Sequence, residues 1–189
     1  MPKENEQKMK TITYVNGDIY EGEVDGGGRP HGRGTYTHHQ GTGQYVGDWK
    51  DGKKHGMGTY QHPNGDLYEG SWKDDEKHGI GKHSYRNGDI YEGPWVKGKK
   101  QGPKGKYTYK TNSSSDASDV YVGDWYQGEK DGEGTMKFAN GDKYKGRWIT
   151  GRMETLAGET ATCTFGEGSK YVGKHSIHLD ISFFPRKSA

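Results

Sequence analysis

The chain has 189 residues, a formal net charge of +2, 33 glycines and a single cysteine. Leu, Ile, Val and Phe total only 21 residues, a share that usually marks disorder, yet disorder of that kind goes with high net charge and few rings, and here 12% of residues are Tyr, Trp or Phe. These numbers exclude a collagen triplet, a disulfide framework, an apolar membrane-spanning helix and a general electrostatic case for nucleic-acid binding.

Residues 1–9 are polar and read as a loose N-terminus without the apolar run of a signal peptide. With Cys163 as the lone thiol, a reducing, cytoplasmic location is expected. Thr11 to Val15 reads as a strand that ends in Asn16-Gly17-Asp18. The same tripeptide returns at Asn64, Asn87 and Asn140. Asn-Gly is the residue pair of a type I′ hairpin turn, which needs positive φ at both central positions. A Tyr-x-Gly segment follows, starting at Tyr20, Tyr45, Tyr68, Tyr91, Tyr121, Tyr144 and Tyr171, with gaps of 25, 23, 23, 30, 23 and 27 residues. Five of the seven continue to a Trp four residues on: Trp49, Trp72, Trp95, Trp125 and Trp148, which are all the tryptophans of the chain. A period in this range marks a repeat architecture.

Alternation sets the faces. Tyr45, Gly47 and Trp49 share one face of a strand, with Val46 and Asp48 on the other. Lys50 to His55 reads as a six-residue loop, and a return strand puts Gly56, Gly58 and Tyr60 on one face. Rings laid on that face would cover bare backbone, so the glycines serve close packing as well as turns. Tyr, Gly and Trp at i, i+2 and i+4 do not fit a helix, and glycine at this density opposes one. The expected fold is all-β, an elongated and curved antiparallel β-meander of stacked hairpins. About seven repeats and some fourteen strands at about 4.8 Å each would span roughly 65 Å.

The unit from Tyr45 to Gly58, YVGDWKDGKKHGMG, resembles position for position the MORN repeat, Tyr-x-Gly-x-Trp-x-x-Gly-x-x-His-Gly-x-Gly. The resemblance covers residues 10–174 and divides the chain into the flexible N-terminus 1–9, the repeat array 10–174, and a C-terminal strand or cap with its tail, 175–189. Departures from the pattern are local. Val24 replaces Trp in the first unit, with an extra residue before His31-Gly32-Arg33-Gly34. Asp75 takes a glycine position, Gln101 and Asp131 take histidine positions, and an added residue separates Gly102 from Gly105. The sixth unit, residues 144–170, loses Gly-x-Gly altogether.

Two segments break the period. Residues 111–119, TNSSSDASD, form a polar insertion that reads as a solvated loop, the sharper alternative being a phosphorylation cluster or a partner contact. Near the C-terminus Ile177, Leu179, Ile181 and Phe183 alternate, giving a strand with one apolar face that Pro185 ends. It reads as a cap on the last open hairpin, or as a docking strand for another protein or a second copy in a homodimer.

Catalytic, cofactor and metal sites are all expected to be absent. His31, His55 and His78 share a repeat position, but equivalents two strands apart are separated by roughly 9–10 Å, whereas a zinc ion holds its nitrogens at about 2 Å. Gly47 to Lys53 and Gly93 to Lys99 imitate a phosphate loop but lead into a strand, with no helix N-terminus to receive phosphate. The resemblance implies a non-enzymatic scaffold protein binding other proteins of a larger complex in a cytoskeletal or ciliary assembly, axonemal and radial-spoke-like. Its protein-binding candidates are Tyr45, Trp49, Tyr68, Trp72, Tyr91, Trp95, Tyr121 and Trp125, with Ile177, Leu179, Ile181 and Phe183. The alternative is a peripheral phosphoinositide-binding membrane tether, in which Lys97, Lys99, Lys100 and Lys104 form a lysine edge facing acidic phospholipid.

Overall fold

The computed structural model describes residues 8–39, 43–111, 117–154 and 160–173. Among them there are sixteen β-strands and no α-helix. The strands are β1 Lys8–Thr13, β2 Ile19–Val24, β3 Pro30–Thr37, β4 Gln44–Lys50, β5 Lys53–Gln61, β6 Leu67–Lys73, β7 Glu76–Ser84 and β8 Ile90–Val96. They continue with β9 Lys99–Lys100, β10 Gly102–Tyr109, β11 Asp119–Tyr126, β12 Glu129–Lys137, β13 Lys143–Ile149, β14 Arg152–Glu154, β15 Ala161–Thr164 and β16 Lys170–Gly173. They follow one another in sequence order as an open antiparallel sheet, with β9 beside β8 and β14 beside β13. The all-β meander legible in the repeat is the fold. Residues up to Arg86, with Trp95–Gly98, cluster in one compact unit, and Asn87–Pro94 with the residues from Lys99 onward in a second.

The turns divide into two kinds, and not as the sequence suggests. The expected six-residue loop Lys50 to His55 is a two-residue turn, because β4 runs to Lys50 and β5 begins at Lys53. Asp51 and Gly52 have φ of 52° and 83°, the two positive values a type I′ turn demands. Asp74 and Asp75 make the same turn without glycine, at 50° and 72°. The Asn-Gly turns are instead three-residue loops. Gly17 N–H donates to Tyr14 O at 2.9 Å, and Tyr14 N–H to Asp18 O at 2.9 Å, with positive φ at Gly17 and not at Asn16. Gly65 and Gly141 repeat that pattern. The extra residue of the first unit makes its loop after Asp25 a three-residue loop too, closed by Gly28 N–H on Asp25 O.

The return strands β3, β5, β7 and β12 carry a bulge at Gly-x-Gly. Gly47 pairs with Gly58 but Asp48 pairs with His55, so Gly56 and Met57 are the extra residues, Gly56 at φ 57°. The bulge restores register, and Tyr45 then faces Tyr60 while Gly47 faces Gly58. In the sixth unit the return strand is split. Both β14 and β15 pair with β13, Trp148 opposite Met153 and Tyr144 opposite Cys163. Ala161 stands where the missing glycine would face Gly146.

In each compact unit the core is a layer of rings on one face of its strands. Tyr20, Tyr45, Tyr68, Tyr91, Tyr121 and Tyr144 are all 0% exposed. Each lies flat along its own strand and donates its hydroxyl to the carbonyl three residues on: Tyr45 to Asp48 and Tyr68 to Ser71 at 2.9 Å, Tyr144 to Arg147 at 3.0 Å. The ring therefore occupies the volume over two facing glycines. A Cβ on Gly58 would run into the Tyr45 ring, and one on Gly47 would stand 2.5 Å from Gly58 Cα. The tryptophans close the layer. Trp49, Trp72 and Trp125 donate Nε1–H to Gly34, Gly58 and Gly105 carbonyls at 3.0–3.2 Å. Tyr45 meets Trp49 and Trp72 edge-to-face at 5.2 and 5.3 Å. Such ring pairs add roughly 0.5–1.5 kcal/mol beyond the area they bury.

Glycines of the two classes should respond oppositely to alanine. Gly58→Ala must displace the Tyr45 ring, an overpacking cost of about 1–3 kcal/mol or more. Gly26, with nothing within 4 Å of an added Cβ and no positive φ, should tolerate Ala within about 0.5 kcal/mol. Urea unfolding of both variants measures the difference, and equal midpoints would refute the packing role of the glycine face.

Candidate interaction surface

The rings nominated from the sequence as a docking surface are the molecule's own core. Tyr45, Tyr68, Tyr91 and Tyr121 have no exposed area, and Trp49, Trp72, Trp95 and Trp125 are 4–6% exposed. The physical reason is that an open sheet has no second layer to pack against, so its largest side chains must lie down and cover the backbone themselves. Ile177, Leu179, Ile181 and Phe183 lie outside the described residues.

What this face offers outward is a second tier of rings two residues beyond the glycines. In the first compact unit Tyr14, Tyr36, His38, Tyr60, His62, His83 and Tyr85 form a continuous ladder. Successive centroids are 5.6, 5.1, 6.0, 4.4, 5.6 and 4.4 Å apart. All but His83 are half-buried, with one edge open to solvent. The alternating dipeptide steps Tyr36-x-His38, Tyr60-x-His62 and His83-x-Tyr85 carry this signal in the sequence, but the Tyr-x-Gly-x-Trp period overshadows it. Tyr107 and Tyr109, 4.5 Å apart, are the counterpart in the second compact unit.

The Asn-Gly-Asp carboxylates hold the ladder in place. Asp18 accepts the Tyr36 hydroxyl at 2.5 Å and the His39 N–H at 2.7 Å. Asp89 does the same for Tyr107 and the Lys110 N–H, at 2.8 and 2.7 Å. In the intervening repeat His83 takes the tyrosine's place, Nε2 lying 3.3 Å from Asp66 Oδ2. The Tyr36 hydroxyl and the His39 amide hold the Asp18 carboxyl down at about 2. Burial, and then the Lys77 ammonium, lower His62 to about 4, so it is neutral at pH 7.

Above four of the buried ring clusters sits a lysine, five residues after Trp49, Trp72, Trp95 or Trp125. Lys54 Nζ stands over Tyr45, Tyr60 and Trp72 at 5.6, 4.8 and 5.3 Å. Lys77 covers Tyr68 and Trp95, Lys100 covers Tyr91, Tyr107 and Trp125, and Lys130 covers Tyr109, Tyr121 and Trp148, all within 4.4–5.4 Å. The stems are buried by the rings and the ammonium faces their π-clouds. Met153 fills the corresponding place in the sixth unit and is 5% exposed. Of the lysine edge nominated for lipid, Lys100 thus turns onto the aromatic layer and leaves the edge. Lys97, Lys99 and Lys104 are exposed, with Lys99 Nζ 2.6 Å from Gln127 Oε1.

In three units the histidine position of the repeat is an acceptor for the next hairpin. His31 Nδ1 lies 3.5 Å from the Asp51 N–H donor, Gln101 Oε1 accepts from Gln127 at 3.0 Å and Asp131 Oδ2 from Thr150 at 3.3 Å. Gln101 and Asp131 are therefore substitutions that keep the function of the position. Asp25, His31 and Asp51 bring ligand atoms within 4.8 Å of one another, but Arg29 fills the gap. Its Nη2 lies 2.7 Å from Asp25 and 3.6 Å from Asp51, and an arginine there supplies the countercharge a metal ion would.

An open antiparallel sheet of β-hairpin repeats, with rings packed on glycines and their hydroxyls turned back on the backbone, defines a β-repeat protein. The MORN repeat model matches residues 20–43, 45–67, 68–90, 91–114 and 121–143. The chain belongs to the MORN-repeat family. No curated protein matches the sequence. Among solved structures the chain is similar to the TCP10c domain of Drosophila melanogaster Sas-4, at 10% identity and TM-score 0.40, over 89% of this chain and 100% of that one. It is also similar to the Drosophila melanogaster SAS-4 TCP domain in complex with a proline-rich motif of Ana2, at 10% identity and TM-score 0.46, over 93% and 95%. A third is the G-box domain of the microcephaly protein CPAP, at 12% and 0.38, over 89% and 100%. Among the described residues no helix is long and apolar enough to cross a membrane.

Burial lowers the ammonium pKa of Lys77 and Lys130 to about 8, against 10.5 for a solvated lysine. Between those values the unfolded chain holds more protons on these lysines than the folded one. They therefore contribute a rise in stability with pH from about 8, opposed near 10 by the buried tyrosines, whose pKa values are raised. Lys77→Met and Lys130→Met, which copy the side chain at Met153, should flatten that rise and cost less than about 1.5 kcal/mol each at pH 7. Thermal midpoints across the pH series decide it, and an unchanged slope in the double variant would refute the assignment.

Proposed function

We propose that this chain is a non-enzymatic scaffold that holds other proteins in a cytoskeletal or ciliary assembly, axonemal or radial-spoke-like in setting. The observation that carries the binding role is the half-exposed ladder from Tyr14 to Tyr85. Large rings with one face packed and one edge open lose little side-chain entropy on binding, and aromatic anchors dominate interface energetics. The rings stand on a layer whose rotamers are fixed by the Tyr hydroxyl and Asp carboxylate bonds, so the surface is pre-organised. The titratable side chains on this face support the same reading. Asp18 and Asp89 hold backbone, and Lys54, Lys77, Lys100 and Lys130 roof rings, roles that position structure. The setting rests on family resemblance. Exposed Lys97, Lys99 and Lys104 favour the second reading, a peripheral tether to acidic phospholipid.

Detergent extraction of the source cells, followed by a salt series on the pellet, separates the two. The scaffold should stay with the detergent-resistant fraction. Tyr60→Ser with Tyr85→Ser should release it, each anchor costing about 2 kcal/mol of binding, while circular dichroism keeps the native strand signal. Release by detergent alone, prevented from rebinding vesicles by charge reversal at Lys97, Lys99 and Lys104, would overturn the scaffold reading in favour of the tether.

A further inference from the structure

The opposite face of the second compact unit carries a charge pattern that the ring ladder does not use. In β12, β13 and β16 four of the residues alternating with buried Met136 and Tyr144, and with Tyr171 opposite Cys163, are lysines: Lys137, Lys143, Lys145 and Lys170. All four are exposed. Register sets them together. Lys137 lies directly opposite Lys143, Lys143 is opposite Thr164, and Thr164 is opposite Lys170. Lys145 lies between Thr135 and Thr162. Every residue paired with these lysines is Val, Thr or Lys, and among the described residues none of the four has an ion-pair partner. In the same unit Lys106, also on the outward face, has Glu92 at 3.3 Å.

Like charges directly opposite on neighbouring strands repel and destabilise the pair. A patch of four such cations with no internal counterion is complementary to an acidic ligand. We infer that this face binds an acidic polypeptide segment lying extended along β13. Two features select that class. Alternate residues of an extended chain project to one side about 7 Å apart, the same spacing as Lys143 and Lys145, so carboxylates at every second position meet the lysines in step. Thr164 stands between Lys143 and Lys170, and Val120, Val122, Val172 and further threonines flank the patch, small side chains that give a low surface. None of the lysines' registered neighbours is an aromatic ring for a base to stack on, and the arginine next along this face, Arg147, is registered between Glu133 and Glu154, acids that would oppose a phosphate there. Nor is any of the lysines' registered neighbours a Trp, Phe or Leu that would enter a bilayer.

The test uses the full chain and a fluorescein-labelled 14-residue peptide of alternating Glu and Thr, with its Gln-Thr counterpart. Fluorescence anisotropy should show saturable binding of the acidic peptide that weakens with salt, and little binding of the glutamine peptide. Lys143→Glu with Lys145→Glu should weaken it by about tenfold or more. The first of these substitutions places a carboxylate opposite Lys137, so the thermal midpoint should hold or rise, and misfolding cannot account for the loss. Equal binding by the variant, or by the glutamine peptide, overturns the inference. Tighter binding of duplex DNA or of phosphatidylserine vesicles through the same lysines overturns it as well, assigning the patch to that partner.

Discussion

The structure depends on one contact, the face of a tyrosine ring laid on a pair of facing glycines. Everything else in the repeat follows from making that contact possible. Glycine at positions 47 and 58 removes the Cβ atoms that would hold the ring away. The bulge at Gly56 corrects the register so that the two glycines oppose each other. The hydroxyl, carried to the strand's far end by the flat orientation, finds the Asp48 carbonyl and so does not stay buried without a partner. A standing tyrosine would reach into solvent, bury less of itself and lose that bond. A sheet with one covered face is ordinarily stabilised by a helix or a second sheet packed about 10 Å away. Here the rings are the second layer, which is why a chain so poor in aliphatic residues folds.

A single layer of rings still has an outer surface, and the lysines five residues after Trp49, Trp72, Trp95 and Trp125 answer that. An ammonium over three π-faces is more compatible with water than the bare ring faces, and its methylene stem adds apolar contact beneath. The balance between burial, which disfavours the charge, and the ring quadrupoles, which favour it, sets how far each lysine is shifted. Met153 shows that the position tolerates a side chain supplying only the stem. The cation is therefore a means of finishing an aromatic surface, and counting lysines per loop as a measure of basic surface misleads. Lys100 reads as part of a lysine edge and is in fact directed at Trp125, 4.4 Å from its ring.

The legible part of the fold is the part written in strict period. Tyr-x-Gly-x-Trp specifies strand, face and partner at once, because period two in so few residue types admits one pairing. The turns escape such a reading because the residues that look most like turns are not the tightest ones. Asn16-Gly17 forms a three-residue loop, while Asp74-Asp75, which contains no glycine, adopts two positive φ values. The Asp75 carboxylate accepts the Lys54 N–H at 2.9 Å, a tertiary bond from the preceding hairpin that no local reading supplies. The docking rings are misplaced by the sequence for a similar reason. It shows that Tyr45 and Trp49 share a face, but whether the face is open depends on rings lying down, and that orientation is set by the carbonyl three residues away. Tyr60 and His62, two and four residues beyond Gly58, are where the same face becomes available.

The two faces of the sheet therefore obey different rules. On the ringed face almost every position is fixed by the repeat, and variation is confined to swaps that preserve an interaction, such as His83 for tyrosine against Asp66 or Gln101 for histidine against the next turn. On the opposite face no ring must be covered and no hydroxyl must reach a carbonyl, so the side chains answer only to their cross-strand neighbours and to whatever lies outside. Where such a face is free to choose, opposite charges set across strands are the low-energy arrangement, and Lys82 opposite Glu69 follows it. Lys137 opposite Lys143 does not. Lys50 opposite Lys53 is a single such pair beside a tight turn. Lys137 and Lys143 instead share their face with Lys145 and Lys170, and that concentration of like charge is what the inferred acidic segment would offset.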